Sequence, residues 1–148
     1  MPGPIHLRAA MQKDLPQMSS FLKNNGLPDA GVDKCLDNFL LAVDSNGSWV
    51  GLAGFELYSD RCLLRSVAVH EQSRSRGHGR TLIAAVLRNA KAKGAKTAYL
   101  LTEGASGYFK RLGFSVIDRK DIDEDVKTSV EFKELCPETA VAMRKVIG

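Results

Sequence analysis

Three apolar runs, residues 39–43, 49–58 and 62–69, follow one another with only short polar connections, and no other feature limits the possible folds as strongly. Asp44-Ser45-Asn46-Gly47 is a strong hairpin turn and Ser59-Asp60-Arg61 supplies a second, so the runs read as an antiparallel β-meander. The third run leads into Arg74-Ser75-Arg76-Gly77-His78-Gly79. Over residues 80–93, Leu82, Ile83, Val86, Leu87 and Ala90 then form one apolar helical face with Arg88, Lys91 and Lys93 opposite, and Gly94 ends the helix. Glycines let a backbone approach an anion, and the free amides at a helix start point at it. Arg74, Arg76 and Arg80 add positive charge, so the turn describes a cradle for a pyrophosphate.

The flanking segments complete an α/β pattern. A short strand is expected over residues 5–8 and a helix over 14–23, where Leu15, Met18, Phe21 and Leu22 have helical spacing. A second short helical segment is expected over 27–38. After the long helix, residues 97–101 read as a strand reached by a right-handed crossover and hence parallel to 62–69. Residues 105–112 read as a helix closed by Gly113, 114–117 as a strand, 122–135 as a mostly polar helical insertion and 140–147 as a last strand. The order βααβββαβαβ(α)β gives a single α/β domain over residues 1–148 on a mixed sheet. A dinucleotide-binding fold would need G-x-G-x-x-G and an acidic residue about 20 positions later. The spacing here is Arg-x-x-Gly-x-Gly.

Composition narrows the ligand. The chain has 148 residues, 44% hydrophobic and 26% charged, which suits one soluble domain with one core. No apolar stretch approaches the roughly 20 residues that span a bilayer, and Met1-Pro2-Gly3-Pro4 lacks the regions of a signal peptide, so no membrane partner and a cytoplasmic location are expected. Cys35, Cys62 and Cys136 are scattered and read as buried thiols, and His6, His70 and His78 lack ligand spacing, so no disulfide and no metal are expected. The net charge of +4 is concentrated around residues 74–96, without interleaved aromatics. A small polyanionic cofactor explains that clustering better than nucleic acid does.

Three segments in order, Leu63-Leu64-Arg65-Ser66-Val67-Ala68-Val69, Arg74-x-x-Gly77-x-Gly79 and Tyr108-Phe109-Lys110-Arg111-Leu112-Gly113-Phe114, make the chain resemble the GNAT superfamily of acyl-CoA N-acyltransferases over nearly its whole length. Within it, Leu-Leu-Arg-Ser and the tail Phe132-x-x-Leu135-Cys136-Pro137 resemble the small N-acetyltransferases associated with arsenic-resistance operons. The resemblance implies a GNAT-like mixed sheet whose parallel fourth and fifth strands splay apart, with acetyl-CoA as cofactor. Its pyrophosphate would lie on Arg74, Ser75, Arg76, Gly77, His78, Gly79, Arg80 and Thr81, and its pantetheine arm along Val67, Ala68 and Val69. An extended, amide-rich ligand also suits a strand edge on physical grounds. Homodimers are common in such folds.

Acetyl transfer to an amine needs a neutral nucleophile and a proton for the leaving thiolate. An α-amino group with pKa near 7.7 is neutral in roughly one molecule in six at pH 7, a lysine amine in about one in 2,500, so a base matters more for the second. Glu56, in an otherwise apolar strand, is the candidate base, directly or through water; its alternative is an outward-facing carboxylate. Arg65 interrupts a central strand and needs an anion, either Glu56 or a substrate carboxylate. The family's usual general acid is a tyrosine at the position of Phe109, whereas Tyr108 stands one residue earlier, a rotation of about 100°. Tyr108 therefore faces the core, the cavity or the thiolate, and Phe109 becomes a wall against the pantetheine arm. By analogy with the family, Leu27, Pro28, Phe39, Thr102 and Glu103 bound the acceptor pocket. Cys62 and Cys136 lack an activating partner in sequence, and no covalent acetyl-enzyme is expected. The reading is an acetyl-CoA-dependent N-acetyltransferase acting on a small, amino-acid-like primary amine. Its rivals are a protein or peptide amine acetyltransferase and a non-catalytic acyl-CoA sensor.

Overall fold

The meander expected from residues 39–69 is present in the computed structural model, which describes residues 4–70, 77–129 and 140–148. Arg74, Ser75, Arg76 and the 132–137 tail with Cys136 lie outside those residues. The strands are β1 (His6–Ala9), β2 (Leu40–Val43), β3 (Trp49–Tyr58), β4 (Arg61–Val69), β5 (Thr97–Thr102), β6 (Ser115–Ile117) and β7 (Val141–Val146). They form a mixed sheet in the order β1-β2-β3-β4-β5-β7-β6. All neighbours are antiparallel except β4 and β5, which are parallel as the crossover required.

The helices are α1 (Leu15–Asn24), α2 (His78–Ala92) and α3 (Ser106–Arg111). The apolar stripe of α2 buries Leu82, Ile83, Val86, Leu87 and Ala90 against β2–β5 and β7, together with Phe109 and Phe114 from the α3 region. Burial of each large side chain in that layer contributes roughly 1.5–3 kcal/mol. On the opposite face, Met18 and Leu22 of α1 pack with Val32, Leu36, Phe39 and Leu52. Gly54 of β3 has no side chain because the Phe39 ring fills that space: a Cβ there would lie 2.5 Å from it. Arg8 and Asp14 form a two-pronged ion pair, at 2.9 and 3.0 Å, that ties β1 to the start of α1.

Three local expectations differ from the structure. Within residues 27–38 only Val32–Asn38 is helical, as a 3-10 turn that Gly31 enters at φ +81. The described part of the 122–135 insertion holds a single 3-10 turn, Val126–Thr128, because its apolar residues Ile122 and Val126 anchor it to Leu63 and Tyr99 rather than marking a helical stripe. Cys62 is fully buried, but Cys35 is only half-buried, its thiol donating to the Gly31 carbonyl. Among the described residues no helix is long and apolar enough to cross a membrane, and no group of His, Cys, Asp and Glu could hold a metal ion.

Candidate active site

Two irregularities of β4 open the site. Opposite β3, Arg65 pairs with Gly54 and Ala68 with Leu52, so Ser66 and Val67 together face one residue of the partner strand. This bulge holds Ser66 at φ +59, a left-handed conformation that is uncommon for serine and is characteristic of bulges beside active sites. It also reverses the alternation: Cys62 and Leu64 face α2, as does Val67, whereas Ala68 packs on the α1 side. On the other edge, β4 pairs with β5 only from Arg61↔Thr97 to Leu63↔Tyr99. Beyond that point the strands diverge, while β5 stays paired with β7 as far as Thr102.

The gap is a cleft of about 1190 Å³. Leu64, Arg65, Ser66, Val67 and Val69 line one wall, and residues 100–105 the other. At one end stand Gly77, Gly79 and Arg80, with Tyr108, Phe109 and Arg111 of α3; at the other stand Asn25, Gly26, Leu27 and Pro28 after α1. The cleft therefore gathers Leu27, Pro28, Arg65, Val67, Val69, Gly77, Gly79, Arg80, Thr102, Glu103, Tyr108 and Phe109 from the sequence-based candidates. Ala68, His78, Thr81, Glu56 and Phe39 do not line it, and Phe39 is fully buried beneath β3. Asn25, Ser66, Gly104 and Arg111 were not anticipated, because nothing in the sequence marks the bulge or the turn after β5.

The anion-binding end follows from local backbone chemistry. Gly77 precedes α2 at φ +79, and the first helical bond runs from the Thr81 amide to the Gly77 carbonyl at 3.1 Å. The amides of His78, Gly79 and Arg80 have no acceptor within the helix, and no side-chain cap is present among the described residues. A Cβ at Gly77 would meet nothing within 4 Å, so there is room for a ligand beside those donors. Gly79 is different: a Cβ there would lie 2.7 Å from the Tyr108 hydroxyl and 3.4 Å from Val69 Cγ2. A phosphate fits this end, with three aligned amides, a helix dipole and the Arg80 side chain at the rim.

At the other end a polar group lies inside the sheet. The Arg65 side chain is fully buried. Its Nη1 donates to Glu56 Oε2 at 2.9 Å and its Nε to Ser66 Oγ at 3.0 Å. Its Nη2 is buried with no hydrogen-bond partner among the described residues, while Arg65 itself lines the cleft. Glu56 Oε1 accepts from the Tyr58 hydroxyl, whose phenol is pushed well above its usual range by burial and by that carboxylate. Both oxygens of Glu56 are thus engaged. Burial pushes the Cys62 thiol up to about 12, which leaves it unreactive at neutral pH.

Tyr108 lines the cleft and also packs against the core on the α2 side of the sheet. Its ring meets Phe109 edge-on, with centroids 5.4 Å apart, and the Arg111 guanidinium stands 5.9 Å over it. Phe109 is buried between Tyr108 and Phe114, and its edge reaches the cleft wall.

The sequence model of the acetyltransferase (GNAT) family matches residues 10–114. The chain belongs to this family. It is 30% identical over 146 residues to the uncharacterized protein YwlB of Bacillus subtilis, covering 96% of this chain and 97% of that one. Among solved structures, Rv2747 from Mycobacterium tuberculosis in complex with CoA shares the fold at a TM-score of 0.81 and 20% identity, over 97% and 99% of the two chains. N-acetylglutamate synthase from Neisseria gonorrhoeae, complexed with coenzyme A and N-acetyl-glutamate, superposes with a TM-score of 0.83 and 15% identity over all of this chain. This GNAT chain spans about a third of that enzyme's length, 36%.

Proposed function

We propose that this GNAT chain is an acetyl-CoA-dependent N-acetyltransferase whose acceptor is a small primary amine carrying a carboxylate. The observation that carries the reading is Arg65 Nη2, a buried guanidinium nitrogen with no hydrogen-bond partner among the described residues, in a residue that lines the cleft. Such a donor is expensive to leave unmade, and a substrate carboxylate is its natural complement. The similarity to an enzyme named for N-acetylglutamate favours the same acceptor class.

Acetyl-CoA supplies the activated thioester. The first-turn amides of α2 and Arg80 are suited to its phosphates, and the strand edge at Val67, beyond the last β4–β5 pair, to its pantetheine amides. The acceptor carboxylate pairs with Arg65, which orients the amine across the gap. A free carboxylate beside an amine holds the amine's proton; pairing that carboxylate with a guanidinium lowers the amine toward the 7.7 or so of an α-amino group. A useful fraction is then neutral near pH 7 without a protein base. Glu56 acts as a positioning residue, since Arg65 and Tyr58 already occupy its oxygens.

A panel of free amino acids and short peptides, assayed for thiol release from acetyl-CoA, tests the reading. Turnover on at least one carboxylate-bearing small amine is expected. Turnover on peptides alone would support the protein-acetylating reading, and background release with every amine despite CoA binding would support a sensor.

A further inference from the structure

Tyr108 lines the cleft with its hydroxyl against Gly79 in the first turn of α2. Its hydroxyl lies so close over the first turn of α2 that a Cβ at Gly79 would stand 2.7 Å from the oxygen, and one of the two would have to shift. The hydroxyl has no hydrogen-bond partner among the described residues, although its ring contacts Phe109 and Arg111. Beside it point the amides of His78, Gly79 and Arg80, for which the helix offers no acceptor. Arg80 and Arg111 are the charged groups whose fields reach the phenol.

We infer that Tyr108 is a cofactor-anchoring residue, its hydroxyl donating to a phosphate oxygen of CoA at the α2 N-terminus, and that it is not the proton donor to the departing thiolate. Burial raises the phenol above its usual range, so it remains a protonated donor at every pH at which the enzyme would be assayed. The arrangement also explains why two glycines are needed in the loop for different reasons. Gly77 supplies a left-handed backbone with open space, and Gly79 makes room for a phenol that shares the phosphate with the helix. The inference rests on CoA as the cofactor and is independent of the acceptor.

Calorimetric titration of wild type and Tyr108→Phe with CoA and with pantetheine, which lacks the phosphates, tests it. Tyr108→Phe should weaken CoA about tenfold, the size expected for loss of a hydrogen bond to a charged group, and leave pantetheine affinity unchanged. In turnover the KM for acetyl-CoA should rise by a similar factor while kcat at saturation falls less than threefold. An equal melting temperature of the two ligand-free proteins would show that the variant is folded; if it is not, Tyr108→Leu takes its place with the same expectations. Unchanged CoA affinity would overturn the inference. So would a large fall in kcat that is the same with acetyl-CoA and acetyl-pantetheine, because that pattern belongs to an acid at the sulfur. Failure of wild type to bind CoA would overturn the cofactor reading as well, and failure to acetylate any amino acid would leave the binding comparison intact.

Discussion

Arg65 uses each guanidinium nitrogen differently: Nη1 meets Glu56, Nε meets Ser66 and Nη2 has no protein partner among the described residues. The sequence showed that an arginine inside Leu63-Leu64 and Val67-Ala68-Val69 must meet an anion, with Glu56 and a substrate carboxylate as alternatives. The structure holds the first of these at Nη1, and the proposed function assigns the second to Nη2. The direction of Tyr108 was not legible in the same way, since it depends on the α2–α3 packing that Gly79 permits. As a positioning residue, Glu56 should reveal itself through Arg65. Glu56→Gln is expected to raise the acceptor KM about tenfold, by loosening a buried charged hydrogen bond, with the shape of the pH–rate profile preserved. A deficit that disappears at high pH would instead identify Glu56 as the base, because a less protonated amine no longer needs one.

At the level of elements, the meander and α2 were legible because their signals are local: alternating or continuous apolar runs, Asn-Gly in the first turn and a 3.6-residue stripe from Leu82 to Ala90. The bulge at Ser66 was not, since a left-handed serine leaves no compositional mark and arises from a register set between Gly54 and Leu52 of the neighbouring strand. The described part of the insertion after β6 departs from its expected helix for a related reason. Ile122 and Val126 are four residues apart, a helical spacing, yet they serve as two anchors on the face formed by Leu63 and Tyr99. The loop–helix junction gives the element-scale prediction. Gly77→Asp places a side chain at φ +79 and a negative charge beside the phosphate-binding amides, so CoA affinity should fall at least about a hundredfold, with melting temperature changed by only a few degrees. Unchanged affinity in a titration would remove the loop from the cofactor site.

For the molecule as a whole, the splay of β4 from β5 joins the two chemistries. One end of the cleft is lined by the first turn of α2 with Arg80 and Arg111, Arg65 lines it at the other, and the β4 edge beyond Leu63 runs between them; the proposed function assigns the first to phosphates and the second to the acceptor. Gly77 and Gly79 of the Arg-x-x-Gly-x-Gly turn line the cleft, and of the residues expected around the acceptor Leu27, Pro28, Arg65, Thr102 and Glu103 line it while Phe39 does not. The central claim is that Arg65 selects a carboxylate. The measurement that reaches it most directly is the ratio of kcat/KM for an accepted amino acid over that for its α-carboxamide, in wild type and in Glu56→Gln/Arg65→Gln, which removes the buried pair together and leaves no charge unpaired. The carboxamide's less basic amine biases the ratio against the acid, so the test is conservative. Wild type should favour the free acid by about tenfold or more, and the double variant should bring the ratio close to one. A wild-type ratio near one, or a preference that survives in the double variant, would contradict the account.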